Sequence, residues 1–482
     1  MEPRMNSPFQ DADPQLMQTT FEAQRATALA WRQSTAAERI ERLERLRTSL
    51  LAHKEALYEA FAADFHKPRF EVDGTEIVPS LDEIRHNIKC LKGWMRPTRI
   101  RATELTMGNS AHVQYQPRGR CLIIAPWNYP LYLMLSPLVS ALAAGNTAIL
   151  KPSEMAPRVA QVLASIVAKA FPAHEVALFE GALATSQALL AMPFDHIFFT
   201  GSPAVGKVVM AAAAKNLTSV TLELGGKSPT IVDETADLQK AAETILWGKF
   251  VNAGQTCVAP DYLYVHASVR DAFVAACQAI LKARYGDSAQ SQRSNADFTH
   301  IINQRHTQRI EGLLKDATSR GARVLSGGEV DTAGNYIAPT LVDNVPMDST
   351  LMQEEIFGPV LPIIPYTDLQ QVITSINADQ KPLALYIWSS NQSNIDTVLT
   401  NTSSGGACVN HCVLHVAHGN LPFGGVNNSG IGSSHGIYGF KAFSHERAVL
   451  KGGWLPSIRM FFPPYTAGRT KLLNFLVSWV SR

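Results

Sequence analysis

The sequence predicts a doubly wound α/β protein, and three observations carry that prediction. From residue 112 onward, short apolar runs alternate with segments of helical period, the pattern of parallel strands joined by crossover helices. The runs at 121–125 and 147–150 are continuously free of charge and largely apolar, as strands covered on both faces should be. The length, 482 residues, exceeds what one core usually organises, so two or three domains are expected.

The elements follow in order. Residues 15–65 read as helical, with Leu43, Leu46, Leu50 and Leu51 recurring at helix spacing among Arg and Glu. The pattern continues over 75–95, up to Pro97. Residues 121–150 contain no Asp, Glu, Lys or Arg and are long enough to imitate a membrane span. Pro126, Pro130, Pro137 and the Gly145-Asn146 pair break that stretch up. It reads instead as a strand (121–125), a proline-rich loop, a buried helix (about 131–143), a turn and a strand (147–150). A helix over about 158–170, strands at 176–179, 196–200 and 219–223, and an alanine-rich helix to about 214 complete the first α/β unit. A second unit begins near 228 with a strand at 228–233. A helix over about 237–250, a strand at 261–265 and a helix over about 268–282 follow. The polar stretch 286–297 reads as an exposed loop.

Composition excludes several classes. Hydrophobic content of 46% and charged content of 17% are those of an ordinary globular protein. A net charge of +2, with no basic cluster interleaved with aromatics, argues against a nucleic-acid partner. The six cysteines (Cys90, Cys121, Cys257, Cys277, Cys408, Cys412) form no CxxC pair. Cys408 and Cys412, near His411 and His415, lack a second pair at ligand spacing, so no metal site is expected. Reduced thiols and an N-terminus without an apolar core segment point to the cytoplasm. The C-terminal K-L-L-N-F-L-V-S-W-V-S-R is too short to span a bilayer. It reads as a helix docked on its own protein or on a partner subunit, with weak peripheral membrane contact as the alternative.

Six motifs carry chemistry. Cys257, in N-A-G-Q-T-C-V-A-P, is a thiol on a loop of small residues, and Glu223, in L-E-L-G-G-K, is a carboxylate at a glycine turn. They supply a nucleophile and a base for one carbonyl. A free thiol has a pKa near ~8.5, so little is thiolate at neutral pH, and a nearby carboxylate can relay a proton from the thiol or from water. Alone, such a Cys is more often a small buried hydrophobe than a nucleophile. G-S-P-A-V-G (Gly201, Ser202, Pro203, Ala204, Val205, Gly206) follows a strand and opens a helix, where backbone N–H groups can face an anion. Its spacing is not G-x-G-x-x-G, and a plain tight turn stays open. P-W-N-Y-P sets Trp127 and Asn128 just past a strand end. An Asn amide there suits an oxyanion hole, and a turn role fits as well. Lys151 and Glu154, in L-K-P-S-E, suit ribose hydroxyls or a solvated turn. Glu354 and Glu355, before Phe357 and Gly358, form an acidic pair at an apolar turn, also read as a helix terminus.

In this order, P-W-N-Y-P, K-P-S-E, F-T-G-S-x-x-x-G, E-L-G-G-K, G-Q-T-C, E-E-I-F-G-P and P-F-G-G-V-N-N-S-G resemble the aldehyde dehydrogenase superfamily, over most of the chain to about 450. G-Q-T-C-V-A-P-D-Y-L, H-G-I-Y-G-F-K-A-F-S-H-E-R and F-F-P-P-Y resemble its class 3 branch, which includes fatty and aromatic aldehyde dehydrogenases. The resemblance implies a Rossmann-like NAD(P)-binding domain (1–99 and 121–225) and an α/β catalytic domain (226–424). It also implies a small β oligomerisation element with the C-terminal tail (100–120 and 425–482). It implies Cys257 as nucleophile, Glu223 as the base that activates the hydrolytic water, and Asn128 as oxyanion donor beside the Cys257 N–H. Lys151 and Glu154 match the adenosine-ribose contacts, Gly201 to Gly206 the pyrophosphate turn with Trp127 close by, Glu355 the nicotinamide-ribose contact, and Phe357 a packing partner of the nicotinamide.

The implied activity is oxidation of an aldehyde to an acid through a Cys257 thiohemiacetal and thioester, in a homodimer. The implied substrate is a medium- or long-chain aliphatic or an aromatic aldehyde. Glu154 can accept a ribose 2′-hydroxyl and would repel a 2′-phosphate, which favours NAD and leaves NADP open. Three features depart from the branch. Asn427 stands where Gly is usual and is expected to alter a turn near the substrate mouth. Residues 411–419 are rich in His. His435 and His445 read as surface or structural residues, with tuning of the site as the alternative. Two rivals remain, a CoA-acylating dehydrogenase and a catalytically silent binding protein. Glu223 argues against the first, and intact Cys257, Glu223 and Asn128 against the second.

Overall fold

Two mostly parallel sheets organise the computed structural model, which describes residues 11–453 and 457–481. The first sheet runs, in spatial order, Gly430–Ile431, Ser219–Glu223, His196–Thr200, Arg120–Ile124, Thr147–Lys151, Val176–Leu178. Only the first pair is antiparallel. The chain starts this sheet at Arg120–Ile124, builds outward on one side, then crosses to His196–Thr200 on the other. That reversal opens a crevice at the carboxyl ends of these two strands, where such sheets take ligands.

Side chains alternate across the sheet with period two. Cys121 and Ile123 join one core with Ala148, Leu150 and Phe198, while Leu122 and Ile124 join another with Ile149, Ile197 and Phe199. The charge-free run 121–150 is therefore interior. Its helix, Tyr132–Ala144, has every residue but Leu133 buried. Among the described residues no helix is long and apolar enough to cross a membrane.

The N-terminal helical region resolves into Pro14–Trp31, Ala36–Ala52 and Lys54–Phe65. A Thr35/Glu38 capping box starts the second. Leu43, Leu46 and Leu50 are fully buried, but Leu51 is 49% exposed. It stands about 100° round the helix from Leu50, off the stripe. Helix Val78–Trp94 is preceded by a π turn, Asp73–Ile77.

The second sheet runs Arg323–Ser326, Thr340–Asp343, Val360–Tyr366, Tyr262–His266, Pro229–Val232, Ala384–Trp388, Gly406–Val409, again with only the first pair antiparallel. The polar stretch 286–297, expected to be a loop, carries a short helix, Ala289–Arg293, because Ser288 caps its N-terminus.

A third, antiparallel sheet joins Thr98–Ile100, Ser110–Pro117 and Ser444–Lys451. The segment after 425 reaches it only from Ser444. Before that, Gly430–Ile431 pairs with Ser219–Glu223, and helix Gly436–Ala442 packs on Val78–Trp94 and Tyr132–Ala144. Part of the expected oligomerisation element thus lies on the first α/β unit, drawn there by its own strand pairing and by buried Phe440. The tail helix, Ala467–Val480, has no buried residue, so the docking on its own protein expected for it is not seen. Leu472, Phe475 and Trp479 are 48%, 64% and 50% exposed.

Candidate active site

Cys257 lies where the two α/β units meet. Helix Leu238–Phe250 ends just before it, and the chain reverses through Asn252, Ala253 and Gly254 at φ of 54°, 52° and 75°. Left-handed backbone is unfavourable for Ala, so the turn must be held from outside. Gln255 holds it: Nε2 donates to the carbonyls of Asn252 (3.0 Å) and His300 (3.1 Å), and Oε1 accepts from Ile302 N (3.0 Å).

Asn128 reaches the same loop from the first sheet. Its Nδ2 donates to Gln255 O at 3.0 Å, and its carbonyl accepts from Asn252 Nδ2 at 2.8 Å. An amide carries two N–H donors, so this bond orients Asn128 and leaves the second for another acceptor.

Cys257 borders two spaces. One is a cleft of about 220 Å³ that it shares with Trp127, Asn128, Gly201, Ser202, Glu355 and Phe357. The other is a recess of about 20 Å³ that it shares with Glu223, Phe423, Ser434 and His435. Lys151 ends the neighbouring strand, Thr147–Lys151, and Glu154 follows it; neither lines the cleft. Pro203, Ala204, Val205 and Gly206 form the first turn of helix Pro203–Ala214 and do not line the cleft.

Burial sets the protonation states. The Cys257 thiol is pushed up to about 12 by burial and then by the carboxyls of Glu355 and Glu223. Burial raises Glu223 well above the usual carboxylate range. Its Oε1 accepts from Ser434 Oγ at 3.1 Å, while Oε2 is buried with no partner among the described residues. Glu355 is raised to about 8 by burial and by Asp261.

The far wall of the cleft is an aromatic slot. Trp127 meets Phe357 edge-on at 5.4 Å and His306 at 4.9 Å between ring centres. Phe357 sits at φ 49°, a strained setting for a bulky residue. Its strap is clamped: Arg309 donates to the carbonyls of Glu355 (3.2 Å) and Ile356 (2.5 Å), and Lys227 Nζ to that of Glu354 (2.9 Å). Sequence reasoning missed His306 and Arg309. They come from helix Gln304–Ser319, whose sequence shows only an amphipathic period.

The departures resolve in three ways. Asn427 adopts φ 56°, which Asn tolerates, and its exposed side chain accepts from Lys381 Nζ at 3.0 Å. The turn thus forms with Asn427 in the left-handed conformation. His435 is buried, stacks on Phe423 at 5.1 Å, and bonds Tyr132 OH through Nε2 at 3.0 Å, so it belongs to the interior. His445 lies on the exposed strand Ser444–Lys451. No group of three metal-ligating side chains occurs among the described residues.

A pyridine dinucleotide fits these groups. Ser202 Oγ caps Val205 N at 3.4 Å, and the helix N-terminus offers its remaining N–H groups to phosphate. Lys151 Nζ and Glu154 Oε2 stand 2.8 Å apart, a donor and an acceptor side by side for ribose hydroxyls. A Cβ on Gly225 would fall 2.3 Å from Glu355 Oε2, so that carboxyl can lie over the turn only because residue 225 is Gly.

A switch-point crevice, an aromatic slot and a thiol between two α/β units define an α/β oxidoreductase of the nicotinamide-nucleotide class. The chain belongs to the aldehyde dehydrogenase family, whose model matches residues 6–449. It is 42% identical over 435 residues to the dimeric NADP-preferring aldehyde dehydrogenase of Canis lupus familiaris, covering 90% of this chain and 94% of that one. It is 43% identical over 437 residues to aldehyde dehydrogenase family 3 member B1 of Homo sapiens, covering 90% and 92%. The substrate-bound structure of Staphylococcus aureus AldH matches with a TM-score of 0.91 at 39% identity, covering 95% of this chain and 99% of that one. The α/β fold and the family read from the motifs are thus those of the protein. It is an NAD(P)-dependent aldehyde dehydrogenase.

Proposed function

We propose that this enzyme oxidises a medium- or long-chain aliphatic or an aromatic aldehyde to its acid through a thioester on Cys257, which water hydrolyses with Glu223 as base. The observation that carries the reading is the place of Cys257, open to the aromatic cleft on one side and to the Glu223 recess on the other. The Cys257 thiol releases its proton to solvent water, and the thiolate attacks the aldehyde carbon. The developing oxyanion takes the second N–H of Asn128 and the backbone N–H of Cys257. An oxidised nicotinamide held by Glu355 and Phe357 would supply the hydride acceptor. Glu223 then removes a proton from water as that water attacks the thioester carbonyl. The recess of about 20 Å³ has room for one water, and the unpartnered Glu223 Oε2 is an acceptor for it.

Lys151 and Glu154 hold the adenosine ribose, Gly201 to Gly206 the pyrophosphate with Trp127 alongside, Glu355 the nicotinamide ribose, and Phe357 the ring. The Glu154 carboxylate favours NAD over NADP, although the similar dog enzyme is named NADP-preferring. Residues 1–99 with 121–225 bind the nucleotide and 226–424 carry the chemistry. The third sheet joins two copies into a homodimer, and the exposed strand Ser444–Lys451 supports this. We assign the tail helix to the partner subunit rather than to a membrane surface, because the dog enzyme is named dimeric.

The test is reduced-nucleotide formation with an aldehyde panel, for wild type and Cys257→Ala, with product analysis. Free acid from wild type and no turnover in the variant are expected. Acyl-CoA formed on adding CoA would favour the acylating reading. No turnover with any aldehyde, in folded protein that binds NAD, would favour a silent binding protein.

A further inference from the structure

The oxyanion donor and the nucleophile come from different sheets, so something must hold their separation. Oxyanion hydrogen bonds work at roughly 2.7–3.1 Å, and a misplacement of about 1 Å can cost ~100-fold in rate. The direct contact, Asn128 Nδ2 to Gln255 O, is one bond.

A charged segment lies beneath both arms. It starts at Lys67, runs through the short helix Arg69–Val72 and passes into the π turn Asp73–Ile77. In an α-helix, residues five apart stand about 140° apart around the axis. The extra residue of a π turn closes part of that gap, and such turns recur at functional sites. Here the turn begins after Glu71 and contains Glu76.

Each charge grips one arm. Glu71 Oε2 accepts from Asn252 N at 3.2 Å, at the start of the reversal that ends in Cys257, and from Thr299 Oγ1 at 2.8 Å. Glu76 Oε2 accepts from Tyr132 N at 2.9 Å, where the arm carrying Asn128 enters its helix. Lys67 Nζ pairs with Glu76 Oε1 at 3.2 Å, both side chains fully buried, and lies 4.5 Å over the Tyr129 ring. Tyr129 OH meets Thr256 Oγ1 at 2.5 Å, next to Cys257. Burial raises both carboxyls, and the Lys67 charge opposes that rise.

We propose that Lys67, Glu71 and Glu76 are positioning residues for the aldehyde reaction: the one short segment that carries them, pinned by the buried Lys67–Glu76 pair, ties the Asn128 arm to the Cys257 loop and sets their separation. The inference rests on the reading of Asn128 as oxyanion donor. None of the three lines the cleft or the recess, so their effect must pass through Asn252, Tyr129 and Tyr132.

The test compares Glu71→Leu, Glu71→Gln, Asn128→Ala and the Glu71→Leu/Asn128→Ala double variant in the full-length enzyme. Glu71→Leu should lower kcat by about 10- to 100-fold and leave the KM for NAD unchanged. Glu71→Gln, whose amide oxygen still accepts from Asn252 and Thr299, should recover most of the loss. The double variant should be no slower than Asn128→Ala alone, because both changes act on one interaction. Wild-type kcat in Glu71→Leu, equal losses in the Leu and Gln variants, or additive losses in the double variant would overturn the proposal. Should Glu71→Leu fail to fold, Tyr129→Phe removes only a hydroxyl. It should slow wild type several-fold but not slow the Asn128→Ala background, and an equal loss in both would overturn the proposal. Wild-type kcat in Asn128→Ala would sink the oxyanion reading itself. A loss there with none in Glu71→Leu would sink only the positioning role.

Discussion

Glu223→Gln should split the reaction into its two halves. Gln keeps the shape of Glu and an acceptor for Ser434 Oγ, which lies 3.1 Å from Glu223 Oε1, but it cannot take a proton from water. A positioned general base contributes roughly 10²–10⁴ in rate, about 2.7–5.4 kcal/mol of barrier. The loss should fall on hydrolysis, after hydride has left the substrate. Rapid mixing should therefore show a burst of about one reduced nucleotide per Cys257, followed by a steady state slower by that factor. Stability gives a second readout. Burial raises Glu223 above its unfolded value of 4.5. Its contribution is fully present below the unfolded pKa and is lost as pH rises toward the folded one. Gln lacks this dependence, so Tm of the variant minus that of wild type should grow from pH ~5 upward. An unchanged steady state would mean that water is activated elsewhere. Loss of the burst would place Glu223 on the thiol rather than on water.

Two further outcomes follow from the same geometry. Glu355→Gln removes the leading electrostatic cause of the raised thiol and should speed iodoacetamide labelling of Cys257. The gain should appear above pH about 8, where Glu355 is ionised in wild type, and equal rates at alkaline pH would take Glu355 out of thiol control. Glu154→Gln loses a charged acceptor for the 2′-hydroxyl and its repulsion of a 2′-phosphate. The ratio of kcat/KM for NAD over NADP should fall about tenfold or more, the scale of a charged hydrogen bond, and an unchanged ratio would move the choice of nucleotide to other residues.

Much of the fold and site was legible because their signals are local. Strand His196–Thr200 was readable to the residue, since a fully covered strand announces itself by an apolar run, here I-F-F, and this one ends at a glycine turn. Cys257, Glu223, Asn128, Lys151 and Glu355 each stand in a short motif at an element's end. Leu51 misled, because one helical step separates a core residue from an exposed one. His306 and Arg309 carried no local signal. Their place at the site depends on which helix packs over which strand end, and periodicity along the chain does not encode that.

The sequence by itself determined the alternation of strands and helices and the residue types that meet a carbonyl, because propensity and patterning act over a few neighbouring residues. Tertiary structure alone decided the crevice between Arg120–Ile124 and His196–Thr200, and the bond from Asn128 to the Cys257 loop across two sheets. It also decided the state of the thiol. From sequence, Cys257 is an ordinary thiol near ~8.5. In the folded protein it is pushed up to about 12, because packing removes the water that would solvate a thiolate and sets two carboxyls, Glu355 and Glu223, close by.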